Sequence, residues 1–235
     1  MKINRKSRLA EKEMMTTSAV IFDLDGVLTD TAEFHFIAWQ AIANKLNVTF
    51  DKEDNEKLKG VDRENSLKYI LAKGHLAVGT TMFEQLLKEK NDQYLTLINE
   101  VNPSHLFDGV LNCFATLKKS NVKIGLASAS KNASLVISKL GIEHLFDFIG
   151  DAASVANSKP APDIFLSVAH GLNVLPKNCI GVEDAVAGVS AIKSANMFAV
   201  GIGDNQILTQ ADLVFPNMSE FDFKRVETAF LLSAT

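Results

Sequence analysis

The sequence has few cysteines and no long hydrophobic runs. Its 235 residues include only Cys113 and Cys179, with no CxxC spacing, which excludes a disulfide framework and a cysteine zinc site. No stretch approaches the roughly 20 apolar residues of a membrane-spanning helix, and residues 1–17 lack the apolar region of a secretory signal. We therefore expect a cytoplasmic protein with reduced cysteines, in which residues 1–17 form a loosely ordered N-terminal extension.

An excess of positive charge is also absent. The formal net charge is -4, whereas nucleic-acid-binding domains usually carry a basic patch. We therefore expect no nucleic-acid partner and no membrane partner, and a small molecule as substrate. With 47% hydrophobic residues the chain can bury a substantial core. No long apolar stripe is left over for a subunit interface, which favours a monomer.

Short apolar segments alternate with helical patterns in most of the chain. This alternation is typical of a parallel sheet with crossover helices. We predict an α/β fold, with a Rossmann-like parallel sheet that has helices on both faces. The predicted strands are residues 19–22, 122–127, 148–149, 179–182, 198–202 and 213–215.

One stretch departs from this alternation. Residues 31–103 contain helical periodicity at 31–46, 63–71 and 81–99 but no convincing strand. We predict that residues 31–103, called the helical segment below, form an inserted α-helical cap domain. Residues 18–30 and 104–235 then form the α/β catalytic core, called the core below, with residues 29–31 and 103–109 as hinges.

Acidic residues directly follow the first predicted strand. Asp23, Asp25 and Gly26 leave a buried strand at its carboxyl end, where open α/β sheets bind their ligands. A pair of aspartates beside a glycine is, by itself, better explained as a solvated turn. However, other polar residues occupy the corresponding ends of later strands or a nearby loop. They are Ser128, Ser130, Lys159, Glu183 and Asp184.

Together these side chains predict a phosphoryl-transfer site. Several carboxylates form an oxygen-rich pocket that suits Mg²⁺, and a hydroxyl and an ammonium can bind phosphate oxygens. A carboxylate beside such a phosphate can attack it and become an aspartyl-phosphate. We assign Asp23 as this nucleophile and Asp25 as the general acid and base.

Four segments carry a resemblance to a known family. F-D-L-D-G-V, L-A-S-A-S, S-K-P-A-P-D and G-V-E-D-A resemble the four motifs of the haloacid dehalogenase superfamily. Within it, the additional segments L-K-G-V-D-R-E and K-N-D-x-Y resemble the β-phosphoglucomutase family. That resemblance implies interconversion of β-D-glucose 1-phosphate and glucose 6-phosphate, with Mg²⁺ as cofactor and β-glucose 1,6-bisphosphate as the bound intermediate and activator.

The resemblance also implies roles for individual residues. The Mg²⁺ ligands would be Asp23, the backbone carbonyl of Asp25, and Asp184, with Glu183 nearby. His35 would hold the sugar hydroxyl and assist Asp25. We also assign Thr31, one turn before His35 on the same helix, to the catalytic residues. The residues implied in binding phosphate or sugar are Ser128, Ala129, Ser130, Lys131, Asn132, Lys159, Lys59, Gly60 and Arg63.

Two other functions stay open on the sequence alone. A sugar-phosphate phosphatase of the same superfamily would share the core motifs but would need no second phosphate site. A catalytically silent sugar-phosphate-binding protein would need neither nucleophile nor acid. Arg63 favours a mutase because its guanidinium can grip a second phosphate bidentately, although a lone arginine at a helix start is more often a surface charge.

Overall fold

The chain folds around a six-stranded parallel sheet. A computed structural model describes residues 16–233, so nearly all of the expected N-terminal extension lies outside the described residues. The predicted α/β class is confirmed. The strands are β1 (Ala19–Phe22), β2 (Lys123–Leu126), β3 (Phe148–Ile149), β4 (Cys179–Glu183), β5 (Phe198–Ile202) and β6 (Leu213–Phe215).

The first strand lies in the middle of this sheet. The strand order is β3-β2-β1-β4-β5-β6, so β1 is flanked by β2 and β4. In the parallel register Phe22 is opposite Leu126 on one side and Val182 on the other. The three strands therefore end at the same level. The residues that follow them enter one shared region at the carboxyl edge of the sheet.

Helices cover both faces of the sheet. Because side chains alternate along a strand, Val20 and Phe22 of β1 point into one hydrophobic cluster, and Ala19 and Ile21 point into another. The helices are α1 (Ala32–Lys45), α2 (Lys52–Glu56), α3 (Arg63–Lys73), α4 (Thr80–Leu97), α5 (Val110–Lys119), α6 (Ala133–Lys139), α7 (Asp163–Gly171), α8 (Val186–Ser194) and α9 (Phe223–Ser233). Helices α5, α6 and α9 cover the first face, and α7 and α8 cover the second.

The helical segment has a hydrophobic cluster of its own. Trp39 of α1, Ile70 of α3 and Leu86 of α4 are buried in it, separate from the clusters on the sheet. The short helix α2 was not predicted, and it begins with a capping box in which Asp51 and Asp54 each bind the other's backbone N–H. No strand occurs between β1 and β2 in the described chain, as expected. Within residues 16–233, no helix is long and apolar enough to cross a membrane.

Two connections join the helical segment to the core, and they lie side by side. The Thr29 hydroxyl donates to the carbonyl of His105 at 2.8 Å, and the Phe107 N–H donates to the carbonyl of Leu28 at 2.9 Å. These contacts lie within or beside the predicted hinge residues. The entry and exit of the helical segment are therefore adjacent, an arrangement that allows it to rotate as a unit.

Replacing Phe114 by alanine should destabilise the core. The ring of Phe114 is 1% exposed and lies 5.1 Å from the ring of Phe22, directly below the strand that carries Asp23. Loss of a buried aromatic ring typically costs about 3–5 kcal/mol, which chemical denaturation would measure. Leu111→Ala on the same helix is the control, because Leu111 is 55% exposed. A similar loss of stability in both variants would contradict this packing.

Candidate functional site

Polar side chains from three adjacent strands meet at the carboxyl edge of the sheet. Asp23 follows β1, Ser128 follows β2 and Glu183 is the last residue of β4. The Asp23 N–H donates to the Val182 carbonyl at 2.9 Å, which continues the ladder between β1 and β4. Asp23, Ser128 and Glu183 are all buried. The parallel register thus brings together residues that are up to 160 positions apart in the sequence.

A buried lysine joins two of these carboxylates. Lys159 Nζ lies 2.6 Å from Asp23 Oδ1 and 2.8 Å from Glu183 Oε2, and the lysine side chain is fully buried. Although burial alone would lower its pKa, the carboxylates of Asp23 and Glu183 raise the pKa of Lys159 overall. Lys159 therefore carries a fixed positive charge beside Asp23.

The carboxylates outnumber this lysine. Ligand oxygens of Asp23, Glu183 and Asp184 all lie within 4.8 Å of one another. Burial and the charge of Asp23 raise the pKa of Asp184 to about 7 and that of Glu183 well above its usual range. Such crowding of acidic oxygens favours a divalent cation, which would let all three groups ionise. The donor set therefore fits a metal site.

Asp25 has a different environment from Asp23. Its Oδ1 is buried, and among residues 16–233 it has no hydrogen-bond partner. Burial, together with the carboxylates of Asp23 and Asp184, raises the pKa of Asp25 to about 8. Asp25 is thus protonated near neutral pH, as a general acid must be.

Two glycines make room for the acidic groups. A Cβ on Gly26, whose φ is +82°, would lie 2.1 Å from Asp184 Oδ2, and a Cβ on Gly188 would lie 2.0 Å from the Glu183 carboxyl carbon. Neither contact is sterically possible. The close approach of these carboxylate groups therefore depends on glycine at both positions.

The loop after β2 presents hydroxyl and backbone groups. The Ser128 hydroxyl accepts a hydrogen bond from the Ser130 N–H at 3.1 Å, and the Ser130 hydroxyl accepts one from the Asn132 N–H at 3.2 Å. Ser128 through Asn132 all line the same cavity as Asp23. Lys131 is exposed, whereas Asn132 binds Asn91 of the helical segment at 2.9 Å.

The helical segment closes the opposite side of this cavity. Lys59 Nζ lies 2.9 Å from Glu56 and 3.6 Å from Asp184 Oδ2. Gly60, with φ of +72°, faces the core, where a Cβ at this position would lie at an ordinary contact distance of 3.5 Å from the Lys159 side chain. The half-buried Arg63 lines the cavity and forms no salt bridge with any described residue. An unpaired guanidinium in a cavity is suited to bind an anion.

His35 is held by a residue that the sequence analysis missed. Lys90 Nζ lies 2.8 Å from His35 Nδ1, and it also lies 4.8 Å from the ring centroids of Trp39 and Tyr94. When Lys90 is protonated it must donate here, so that His35 Nδ1 accepts and Nε2 carries the proton. Burial and the nearby cations lower the pKa of His35 well below its usual value, so the ring is neutral.

Lys90 could have been found from two signals. It lies in the segment K-N-D-x-Y, to which no role was assigned, and it occupies the apolar stripe of α4 four residues after Leu86 and four before Tyr94. All three side chains are buried. A lysine in such a stripe indicates either that the helix is predicted wrongly or that the lysine is buried beside a specific partner.

The cavity has a volume of about 540 Å³. Most of the predicted site residues line it, and two do not. Glu183 lies behind Lys159, and Thr31 is fully buried with its hydroxyl unpartnered among the described residues. The catalytic role assigned to Thr31 stays a prediction, since its side chain does not reach the cavity wall. The predicted residues that line the cavity are Asp23, Asp25, His35, Lys59, Gly60, Arg63, Ser128, Ala129, Ser130, Lys131, Asn132, Lys159 and Asp184.

Comparisons with known proteins agree with this geometry. The haloacid dehalogenase-like hydrolase family matches residues 17–196. The β-phosphoglucomutase of Bacillus subtilis is 48% identical over 204 residues, which are 86% of this chain and 90% of that protein. The fructose-1-phosphate phosphatase of Escherichia coli is 29% identical over 188 residues, which are 79% of this chain and 96% of that protein. A crystal structure of β-phosphoglucomutase from Clostridium difficile superimposes with a TM-score of 0.91 at 44% identity, covering 94% and 99% of the two chains.

Replacing Lys90 by methionine should change how stability depends on pH. Burial and the charge of Arg63 lower the pKa of Lys90 from 10.5 to about 7. Between these values the unfolded chain binds a proton that the folded chain does not. The free energy of unfolding of the parent protein should therefore rise with pH, relative to Lys90→Met, by up to about 1.4 kcal/mol per pH unit. Urea unfolding at pH 7 and pH 9 would measure this difference.

Lys88→Met on the same helix is the matched control. Lys88 is exposed and pairs with Asp92 at 2.6 Å, so its removal should leave the pH dependence unchanged over this interval. A constant difference between the parent protein and Lys90→Met at both pH values would contradict a depressed pKa for Lys90.

Proposed function

The chain belongs to the haloacid dehalogenase-like hydrolase family, and on that basis we propose that this enzyme interconverts β-D-glucose 1-phosphate and glucose 6-phosphate. The proposal is supported by the similarity to two β-phosphoglucomutases over most of the chain. We further propose that it acts on this small sugar phosphate as a monomer in the cytoplasm. Two free, buried cysteines are consistent with that reducing compartment.

The observation that carries the proposal is a pair of cationic groups on opposite sides of one cavity. Lys159 lies beside Asp23 on the core, and Arg63 lines the cavity from the helical segment with no carboxylate partner among residues 16–233. A phosphatase needs to hold one phosphate, whereas a mutase must hold a sugar with a phosphate at each end. The unpaired Arg63 provides the second anion site.

The first step forms a bond between Asp23 and phosphorus. An oxygen of the Asp23 carboxylate attacks the 1-phosphate of β-glucose 1,6-bisphosphate in line, and the bond between phosphorus and the sugar oxygen breaks, so that glucose 6-phosphate leaves. Lys159 neutralises phosphate charge, and Ser128 with the N–H of Ala129 holds phosphate oxygens. Asp25 gives its proton to the departing sugar oxygen. Its raised pKa is suited to this donation.

A metal ion would complete the charge balance of this site. The carboxylates of Asp23 and Asp184, with Glu183 close by, would hold Mg²⁺. Bound there, the ion would polarise the phosphate and reduce its repulsion of the Asp23 carboxylate.

The second step is the reverse transfer, from phosphorylated Asp23 to the 6-hydroxyl of a β-glucose 1-phosphate that has replaced the released glucose 6-phosphate. Asp25, now ionised, takes the proton of a sugar hydroxyl, whose oxygen attacks the aspartyl-phosphate. The intermediate that carries both phosphates is β-glucose 1,6-bisphosphate. The bisphosphate must reverse its orientation in the cavity, so each of its phosphates is bound once beside Lys159 and once beside Arg63. Neutral His35, with its Nε2–H as donor, can orient the sugar hydroxyl beside Asp25.

The helical segment excludes water from the aspartyl-phosphate. Lys59 lies 3.6 Å from Asp184 and Asn91 binds Asn132 at 2.9 Å, so the segment rests against the core. We propose that residues 31–103 act as a cap that opens between the two steps. Closure favours transfer to the bound sugar over hydrolysis.

An alternative is a sugar-phosphate phosphatase, a function favoured by the 29% identical phosphatase from E. coli. The assay that separates the two supplies β-glucose 1-phosphate, Mg²⁺ and a trace of bisphosphate, and it measures glucose 6-phosphate and inorganic phosphate together. The mutase should form glucose 6-phosphate with little phosphate release, and α-glucose 1-phosphate should be converted poorly. Phosphate release without glucose 6-phosphate would favour the phosphatase.

Arg63→Ala should impair binding of the second phosphate without impairing cleavage of the first. The variant loses the second anion site but leaves Asp23, Asp25 and Lys159 in place. Mutase turnover should fall at least about 100-fold, as expected for a desolvated charge-assisted contact, while hydrolysis of a small aryl phosphate should change less than about threefold. Lys57→Ala is the control, because Lys57 is an exposed cation of the same loop outside the cavity. Equal losses of both activities in Arg63→Ala would contradict the assignment.

A further inference from the structure

A hydrogen bond connects the helical segment to the core beside both cationic groups. The Ser158 hydroxyl donates to Asp62 Oδ2 across 96 residues of sequence. Asp62 immediately precedes Arg63, and Ser158 immediately precedes Lys159. The contact therefore links the backbone on which Arg63 is mounted to the backbone on which Lys159 is mounted.

Both partners of this contact are anchored. Asp62 Oδ1 caps α3, accepting from the N–H groups of Glu64 at 2.9 Å and Asn65 at 3.0 Å. The second oxygen, Oδ2, is free of the helix backbone and also accepts from Asn65 Nδ2 at 2.5 Å. Ser158 lies in the loop before α7, and its neighbour Lys159 is fixed by two buried carboxylates. Movement of the helical segment away from the core must break this bond.

The carboxylate of Asp62 is a strong acceptor. Although its partial burial alone would raise the pKa, the hydrogen bonds from Ser158 and Asn65 lower the pKa of Asp62 overall. It is thus ionised at neutral pH. A hydrogen bond to an ionised group is roughly twice as strong as one between neutral groups.

We propose that Asp62 and Ser158 are positioning residues, whose hydrogen bond holds the helical segment closed while phosphorylated Asp23 awaits the second sugar hydroxyl. Neither side chain is assigned to the reacting atoms. Their contact determines how long the aspartyl-phosphate is shielded from water, and hence the ratio of hydrolysis to transfer. This inference rests on the proposed mutase function and deepens it.

Ser158→Ala provides the cleanest test, because it removes the donor and leaves the cap of α3 intact. The measurement is the ratio of inorganic phosphate to glucose 6-phosphate formed from β-glucose 1-phosphate with a trace of bisphosphate. We expect this ratio to rise about tenfold, the change expected from one charge-assisted hydrogen bond. Cleavage of a small aryl phosphate should stay within about twofold of the parent rate. Ser158→Thr, which keeps a hydroxyl, should restore the parent ratio.

Asp62→Ala and the double variant test whether the two residues act as a pair. Asp62→Ala should raise the ratio as Ser158→Ala does, and the double variant should raise it no further. Asp222→Ala is the matched control for loss of a helix cap, since Asp222 Oδ1 accepts from the N–H groups of Lys224 and Arg225 at 2.9 and 3.2 Å, far from the cavity. It should leave the ratio unchanged.

The outcomes separate this inference from the proposed function. If the parent protein forms no glucose 6-phosphate, both are overturned. If it forms glucose 6-phosphate but Ser158→Ala keeps the parent ratio, only the inference is overturned. Equal ratios in Ser158→Thr and Ser158→Ala, or independent effects of the two alanine substitutions, would also overturn it.

Discussion

The site depends on the burial of one lysine between two carboxylates. Lys159, Asp23 and Glu183 are all nearly inaccessible to water, and removing such charges from water is costly unless each is paired at close range. The pairing requires that β1 and β4 be adjacent, that they end at the same level, and that the loop before α7 fold back over them. The strand order and register of the central sheet provide this arrangement.

This pairing leaves an excess of negative charge, and the proposed roles of the acidic residues depend on that excess. Lys159 cannot balance Asp23, Glu183 and Asp184 together, and burial with this excess charge raises the pKa values of Glu183 and Asp184. Burial and the carboxylates of Asp23 and Asp184 likewise raise the pKa of Asp25, two residues from an aspartate that is paired with lysine. Two aspartates of identical chemistry are thereby suited to different tasks, one as nucleophile and one as acid.

The sequence predicted the elements and motifs that depend on local order. The strands were predicted within about two residues, since each is a short apolar run in a buried parallel sheet. The core site residues could be identified because parallel strand ends meet at one edge. Helix α2 was missed because its five residues, Lys52–Glu56, contain no apolar periodicity, although the capping box of Asp51 and Asp54 was a usable signal.

Features that depend on tertiary packing could not be predicted in this way. The apolar stripe of α4 indicates that Lys90 is buried, but its partners could not be predicted, because it is the folding of α1 against α4 that brings His35 and Trp39 to it. Thr31 is the opposite case. Its place one turn before His35 indicated a position at the cavity, whereas its side chain is fully buried and does not line the cavity. The bond between Asp62 and Ser158 joins two unremarkable polar residues in separate loops.

The opening and closing of the helical segment explains how one core can serve both mutases and phosphatases. The groups that we propose to cleave phosphate lie on the core, and the chain is similar both to the fructose-1-phosphate phosphatase of E. coli and to the β-phosphoglucomutases. Asp23, once phosphorylated, reacts with whichever hydroxyl reaches it first. Water is small and abundant, so transfer to sugar requires that the cavity stay closed with the second phosphate held. In the proposed mechanism Arg63 provides the affinity for that phosphate, and the contacts of Lys59 and Asp62 with the core keep it enclosed. The partition between the two reactions is therefore decided by residues that take no part in breaking the bond.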